Sequence, residues 1–113
     1  MTIRELQQQA HATAKEKGWY DGATERNPLE LIALVHSELS EAVEDFRRGA
    51  APWCIPANNL PDCKPSGPDI ELADAVIRIA DMCGYLGLDL EAAIQAKLAY
   101  NKTRPVRHGG KRY

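Results

Sequence analysis

Apolar residues recur along this chain at helical spacing, in runs separated by turn-forming residues. Ile3, Leu6, Ala10 and Ala14 stand three or four positions apart, the interval that stacks side chains on one helix face. Thr2 followed by Glu5 makes a capping-box pattern ahead of this run, and Gly18 is a stop signal. A first helix is expected over about residues 3 to 17. Asn27, Pro28 and Glu30 mark a second start. Leu31, Ile32, Val35, Leu39, Ala42, Val43 and Phe46 form its stripe, and Gly49 ends it. A third helix is expected from about Asp69 to Leu86, stopped near Gly87. Asp89 caps a fourth, about Leu90 to Lys102, which Pro105 closes. Residues 50 to 68 carry Pro52, Pro56, Pro61, Pro65 and Pro68 and read as a long irregular connection, a type that is often functional. No segment reads as a strand. The pattern predicts an all-α, four-helix bundle-like fold, with residues 1–113 forming one domain.

The second and third helices place acids against their apolar stripes. On a wheel of about 100° per residue with Glu38 at zero, the apolar residues of the second helix cover roughly 20° to 140°. Glu38 borders that stripe, and Glu41 and Asp45 continue beyond the same edge. With Glu71 at zero, Met82, Ala75, Leu86, Ile79, Leu72, Cys83 and Val76 fill the same sector of the third helix. Asp74 then takes the place of Glu41, and Arg78 that of Asp45. If the two stripes pack together, Glu38, Glu41, Glu71 and Asp74 converge. Four close carboxylates resist ionisation unless a positive charge sits among them. Mg²⁺, which takes oxygen ligands and keeps waters and substrate phosphates, is the natural occupant, with Mn²⁺ as the alternative. The competing interpretation is a solvated acidic face with no ion. Asp45 is left undecided, while Glu44, Asp81 and Glu91 are expected to be solvated charges and Glu30 a cap.

Other chemistries are disfavoured. Di-iron bundles use Glu-x-x-His on their helices, and none of His11, His36 and His108 has a Glu three residues before it. No P-loop pattern occurs. Cys54, Cys63 and Cys83 are an odd set without zinc-knuckle spacing, and they fit a reducing compartment. Cys83 falls on the apolar stripe and is expected in the core. His36 is expected at the surface, with Ser37 and Ser40 as local hydrogen bonders.

Composition adds mainly exclusions. The chain has 113 residues, 44% hydrophobic and 27% charged, with a formal net charge of −2. That balance gives no general attraction to a nucleic acid polymer or an anionic membrane. No run approaches the roughly 18 apolar residues of a membrane span, and the N-terminal stretch is polar, so a cytoplasmic location is expected. A core of this size is small, which favours association between copies.

Glu38-Leu-Ser-Glu41 followed by Glu71-Leu-Ala-Asp74 resembles the ExxE…ExxD signature of the MazG-like all-α nucleoside triphosphate pyrophosphohydrolase superfamily. That superfamily includes dimeric dUTPases, dCTP pyrophosphatases and phosphoribosyl-ATP pyrophosphohydrolases. The likeness continues from Lys97 through Asn101 and Arg104 to the RHGGK tail ending at Lys111, and covers about Pro28 to Lys111. It implies a MazG-type bundle that hydrolyses nucleoside triphosphates to a monophosphate and pyrophosphate. Carried over by position, it also implies Glu38, Glu41, Glu71 and Asp74 as Mg²⁺ ligands, one of them, such as Glu41, serving instead as general base. It implies a homodimer or homotetramer. Two features depart from the family pattern: Ser37 precedes Glu38 where many members carry a second acid, and the 50–68 connection is long.

Lys97, Asn101 and Arg104 stand at i, i+4 and i+7 on one face. Arg and Lys suit a polyphosphate, although a basic helix end also complements the macrodipole. Arg107, His108 and Lys111 are further phosphate candidates. Trp19 is a candidate for stacking on a base, or else packs the first helix on the bundle, and Trp53 is a weaker base contact. Two non-catalytic readings stand beside the enzyme: a helical interaction module, and a sensor that binds a nucleotide without cleaving it.

Overall fold

The computed structural model describes residues 1–22, 25–53 and 64–105. Cys54, Cys63 and most of the 50–68 connection, like Arg107, His108 and Lys111, lie outside the described residues. The secondary-structure elements among the described residues are all α-helices: α1 (Ile3–Glu16), α2 (Pro28–Arg47), α3 (Pro68–Leu86) and α4 (Leu90–Thr103). None of these helices is long and apolar enough to cross a membrane.

The helices begin where local chemistry starts them. The Thr2 hydroxyl accepts the Glu5 N–H at 3.0 Å, Asn27 accepts from Leu29 N–H at 2.9 Å with Pro28 next to it, and Asp89 accepts from Ala92 N–H at 3.0 Å. Each satisfies a donor that the first turn leaves unpaired. The start of α3 is different, because Gly67 has φ 120° and its N-cap makes no side-chain bond. A Cβ at Gly67 would lie 2.7 Å from the Ala51 carbonyl oxygen, so the chain before α3 presses directly on the chain after α2. Asp69 ties the same two segments together by accepting the Trp53 N–H at 2.7 Å.

α3 is the central element, packed on α2 and on α1, while α4 packs on α1. The buried hydrophobic residues are mostly small: Ala10, Leu31, Val35, Ala42, Ala75, Ala80 and Cys83. Cys83 is thus buried, as its stripe position predicts, and burial pushes its thiol pKa up. α4 buries none of its residues and is anchored at its start. Gln7 donates to the Leu88 carbonyl at 2.8 Å, and Arg4 pairs with Asp89 and Glu91, each at 3.1 Å. Glu91 is therefore not the solvated charge its wheel position suggests, since its carboxylate also accepts the Arg4 backbone N–H.

α2 does not bury its apolar stripe squarely. Leu31, Val35 and Ala42 are buried, but Ile32, Leu39, Val43 and Phe46 are exposed. The packed face is turned by roughly 50° toward the acidic edge. This rotation carries Asp45 into the interior and leaves half of the apolar stripe on the outside.

Close approach of α1 to α3 depends on Gly84, where a Cβ would lie 2.7 Å from the His11 Cβ. Gly84→Ala is expected to cost about 1–3 kcal/mol through this overpacking, despite the better helix propensity of Ala. Thermal unfolding of the variant measures it.

Candidate metal centre

Facing positions on α2 and α3 bring three carboxylates together. One oxygen each from Glu38, Glu71 and Asp74 lies within 4.8 Å of the others. All three residues are half-buried. Glu41 is not among them: it is exposed and makes no ion pair or hydrogen bond among the described residues. The expected four acids are thus a trio plus one residue on the neighbouring turn.

The charge balance is uneven. Arg78 Nε donates to Glu38 Oε1 at 2.7 Å, so one acid of the trio has a counter-charge. Glu71 and Asp74 have no ion-pair partner among the described residues. Burial holds the Glu71 carboxyl above its ordinary pKa, reinforced by the charges of Asp74, Glu38 and Asp45. Asp74 is raised by burial and then by Glu38, with Arg78 and Lys64 opposing. Both shifts mean that the pair resists carrying full negative charge together.

Asp45, left undecided by sequence, is 4% exposed. Its Oδ1 accepts from Arg48, and its Oδ2 is buried without a hydrogen-bond partner among the described residues. An orphaned carboxylate oxygen inside a protein is costly. Asp45 is thus a buried acid close enough to the half-buried trio to act on Glu71.

A cavity of about 450 Å³ opens next to the acids. Glu38, Asp74 and Arg78 line one part of it, and Leu6, Ala10, Ala14, Trp19 and Ile77 supply apolar wall. This volume falls in the usual range for small-molecule sites. The Arg78 guanidinium lies over the Trp19 ring, 5.1 Å from its centroid. Trp19 thus lines the cavity with its ring in contact with an α3 side chain.

The basic face expected on the fourth helix does not reach this cavity within the single chain. Lys97, Asn101 and Arg104 are all on or at the end of α4 and contribute nothing to the cavity wall. Lys97 and Arg104 both stack on Tyr100, at 5.0 and 5.6 Å from its ring centroid. Among the described residues the cation that hydrogen-bonds to the trio is Arg78, which the wheel had placed at the stripe edge without a role. Asp81, expected to be solvated, is half-buried and lines the cavity as well. It was illegible because its partners, His11 and Tyr20, come from α1 and the turn after it. Trp53 is half-buried and its backbone belongs to the clasp at the start of α3. His36 is exposed, and Ser37 and Ser40 bond back to the Leu34 and His36 carbonyls, as expected.

Comparison of the chain with protein-family models, with curated proteins and with solved structures returned no match.

Proposed function

We propose that this protein is a Mg²⁺-dependent nucleoside triphosphate pyrophosphohydrolase, releasing a nucleoside monophosphate and pyrophosphate. The observation that carries the reading is an all-oxygen trio, Glu38, Glu71 and Asp74, two of which, Glu38 and Asp74, line a ligand-sized cavity. The family resemblance of the ExxE and ExxD motifs supplies the reaction.

The residues present fit a divalent cation. The donors are all carboxylate oxygens, and among the described residues Glu71 and Asp74 make no ion pair and the buried Asp45 Oδ2 has no hydrogen-bond partner. Hard dications prefer such oxygen sets. Glu38, Glu71 and Asp74 would hold the ion, and Mg²⁺ there would supply charge neutralisation and a more acidic bound water. Arg78 uses one N–H on Glu38, which leaves its other guanidinium N–H groups for phosphate oxygens at the cavity. By the family resemblance, Glu41, outside the trio and one turn on from Glu38, would accept a proton from the attacking water. The apolar wall and the Trp19 ring suit a base, which every nucleotide presents as a flat π-face.

Lys97, Asn101 and Arg104 serve the polyphosphate in this reading only if α4 of one copy approaches the cavity of another. A homo-oligomer is proposed on separate grounds. Ile32, Leu39, Val43 and Phe46 on α2 and Leu72 and Val76 on α3 are exposed apolar residues, more than single scattered surface side chains.

The direct test incubates purified protein with the canonical nucleoside triphosphates and follows pyrophosphate. Release is expected with Mg²⁺ or Mn²⁺ and not in chelator. Release of orthophosphate instead would show cleavage at another bond. Tight metal–nucleotide binding without turnover would make the protein a sensor.

A further inference from the structure

The cavity has a second chemical feature, set apart from the acidic trio. Asp74, Arg78 and Asp81 follow one another at i, i+4 and i+7 on α3, and all three line the same cavity. Seven helical residues advance by about 10 Å while returning to nearly the same face. A ligand whose phosphates sit at Asp74 and Arg78 therefore reaches Asp81 with its other end.

Asp81 is held rather than loose. Its Oδ1 accepts from Tyr20 OH and lies 2.9 Å from His11 Nδ1, the same distance as the phenol. Facing a carboxylate, that ring nitrogen is the one bearing hydrogen. Tyr20 is fixed in turn by stacking on Tyr85 at 4.8 Å between centroids, and His11 meets the edge of Tyr20 at 5.1 Å. Burial and Asp81 hold the Tyr20 phenol well above its ordinary pKa, so it remains a donor. Asp81 Oδ2 accepts no hydrogen bond among the described residues. Neither Lys nor Arg is paired to Asp81 among the described residues, and its side-chain contacts there are His11 and Tyr20. One oxygen is thus anchored and the other is available to a ligand.

An ionised carboxylate only accepts hydrogen bonds. Among nucleobases, an exocyclic amino group offers two N–H donors at the ring edge. Thymine and uracil offer one ring N–H between two carbonyl oxygens, which a carboxylate repels. We propose that Asp81 reads the base, so that the cavity selects nucleotides of cytosine, adenine or guanine against those of thymine and uracil. This rests on the nucleotide reading above and names its substrate class. Asp81 acts here as a specificity residue, and His11 and Tyr20 position it.

The test measures binding, independently of turnover. Calorimetric titration of dCMP, dAMP, dGMP, dTMP and dUMP into the protein with Mg²⁺ is expected to favour the amino-bearing bases by about tenfold or more, the worth of one hydrogen bond to a charged group. A pyrimidin-2-one nucleotide, which is cytidylate without its amino group, should bind as weakly as dTMP. In Asp81→Asn, whose amide both donates and accepts, the preference should collapse to about threefold or less. The pyrimidin-2-one comparison needs no variant and decides the matter if Asp81→Asn unfolds. Equal binding of dCMP and dTMP, or a preference that persists in folded Asp81→Asn, overturns the proposal. Pyrophosphate release without base preference would leave the function standing and remove Asp81 from it. A base preference without pyrophosphate release would do the reverse.

Discussion

Glu71→Gln is expected to lower Mg²⁺-dependent pyrophosphate release by at least about a hundredfold, because loss even of an outer-shell partner costs 10–100-fold. The same change should raise the melting temperature of metal-free protein. The second effect follows from the balance of charge. In chelator, Glu71 is a half-buried acid facing Asp74, Glu38 and Asp45, and its proton is held above the ordinary carboxylate range. A group whose folded pKa is raised contributes stability that is full below its unfolded pKa and is lost as pH rises through the folded value. Asp74 shifts in the same direction. Metal-free wild type should therefore lose stability as pH climbs from about 4, the unfolded carboxylate range. Glu71→Gln cannot titrate at that position and should follow a flatter curve. With Mg²⁺ the order reverses, because the ion binds ionised carboxylates and gains affinity as pH rises. At a hundredfold excess over Kd, binding adds about 2.7 kcal/mol, which is roughly ten degrees for a chain of this size. Melting curves of both proteins across pH, in chelator and in Mg²⁺, read all of this. A variant less stable than wild type in chelator would show that Glu71 makes favourable contacts and not a repulsive cluster. A variant with full turnover would remove the metal assignment.

How much of this was legible in sequence depended on how local the cause was. The caps at Thr2, Asn27 and Asp89 act within three residues, and the helix starts follow them. The trio was legible because Glu38, Glu71 and Asp74 border stripes on consecutive helices. Glu41 and Asp74 hold equivalent wheel positions, yet only Asp74 joins the cluster. The difference is the neighbourhood. α3 has α2 on one side and α1 on another, so residues beyond its stripe edge are still enclosed. α2 packs on α3 and turns its acidic edge inward only as far as Glu38 and Asp45, leaving Glu41 outside. A wheel locates the centre of an apolar stripe. It does not locate the packed face when part of the stripe is left uncovered. Asp81 required knowledge that α1 brings His11 and Tyr20 against α3, a contact between residues 61 and 70 positions apart.

The uncovered half of the α2 stripe leads to the other large effect: Phe46→Lys is expected to convert a homo-oligomer into a monomer. Phe46 is 64% exposed and Val43 52% exposed, so neither supports the fold of the single chain to any great extent. On α3, Leu72 and Val76 are exposed at 43% and 49%, on the side of that stripe away from Asp74. An aromatic anchor buried between two copies is commonly worth about 2 kcal/mol or more. In a two-fold interface each substitution counts twice, so about 4 kcal/mol is lost, a weakening of roughly a thousandfold in Kd. Light scattering gives the mass of both proteins, and thermal unfolding should show a folded variant. A monomeric wild type would end the oligomer reading. The variant also tests where the α4 groups act. Monomeric Phe46→Lys retains the whole trio, so its melting temperature should still rise with Mg²⁺. If Lys97, Asn101 and Arg104 hold polyphosphate in the cavity of a neighbouring copy, that monomer should bind the ion and yet release little pyrophosphate. Full turnover by the monomer would leave the α4 face outside the reaction.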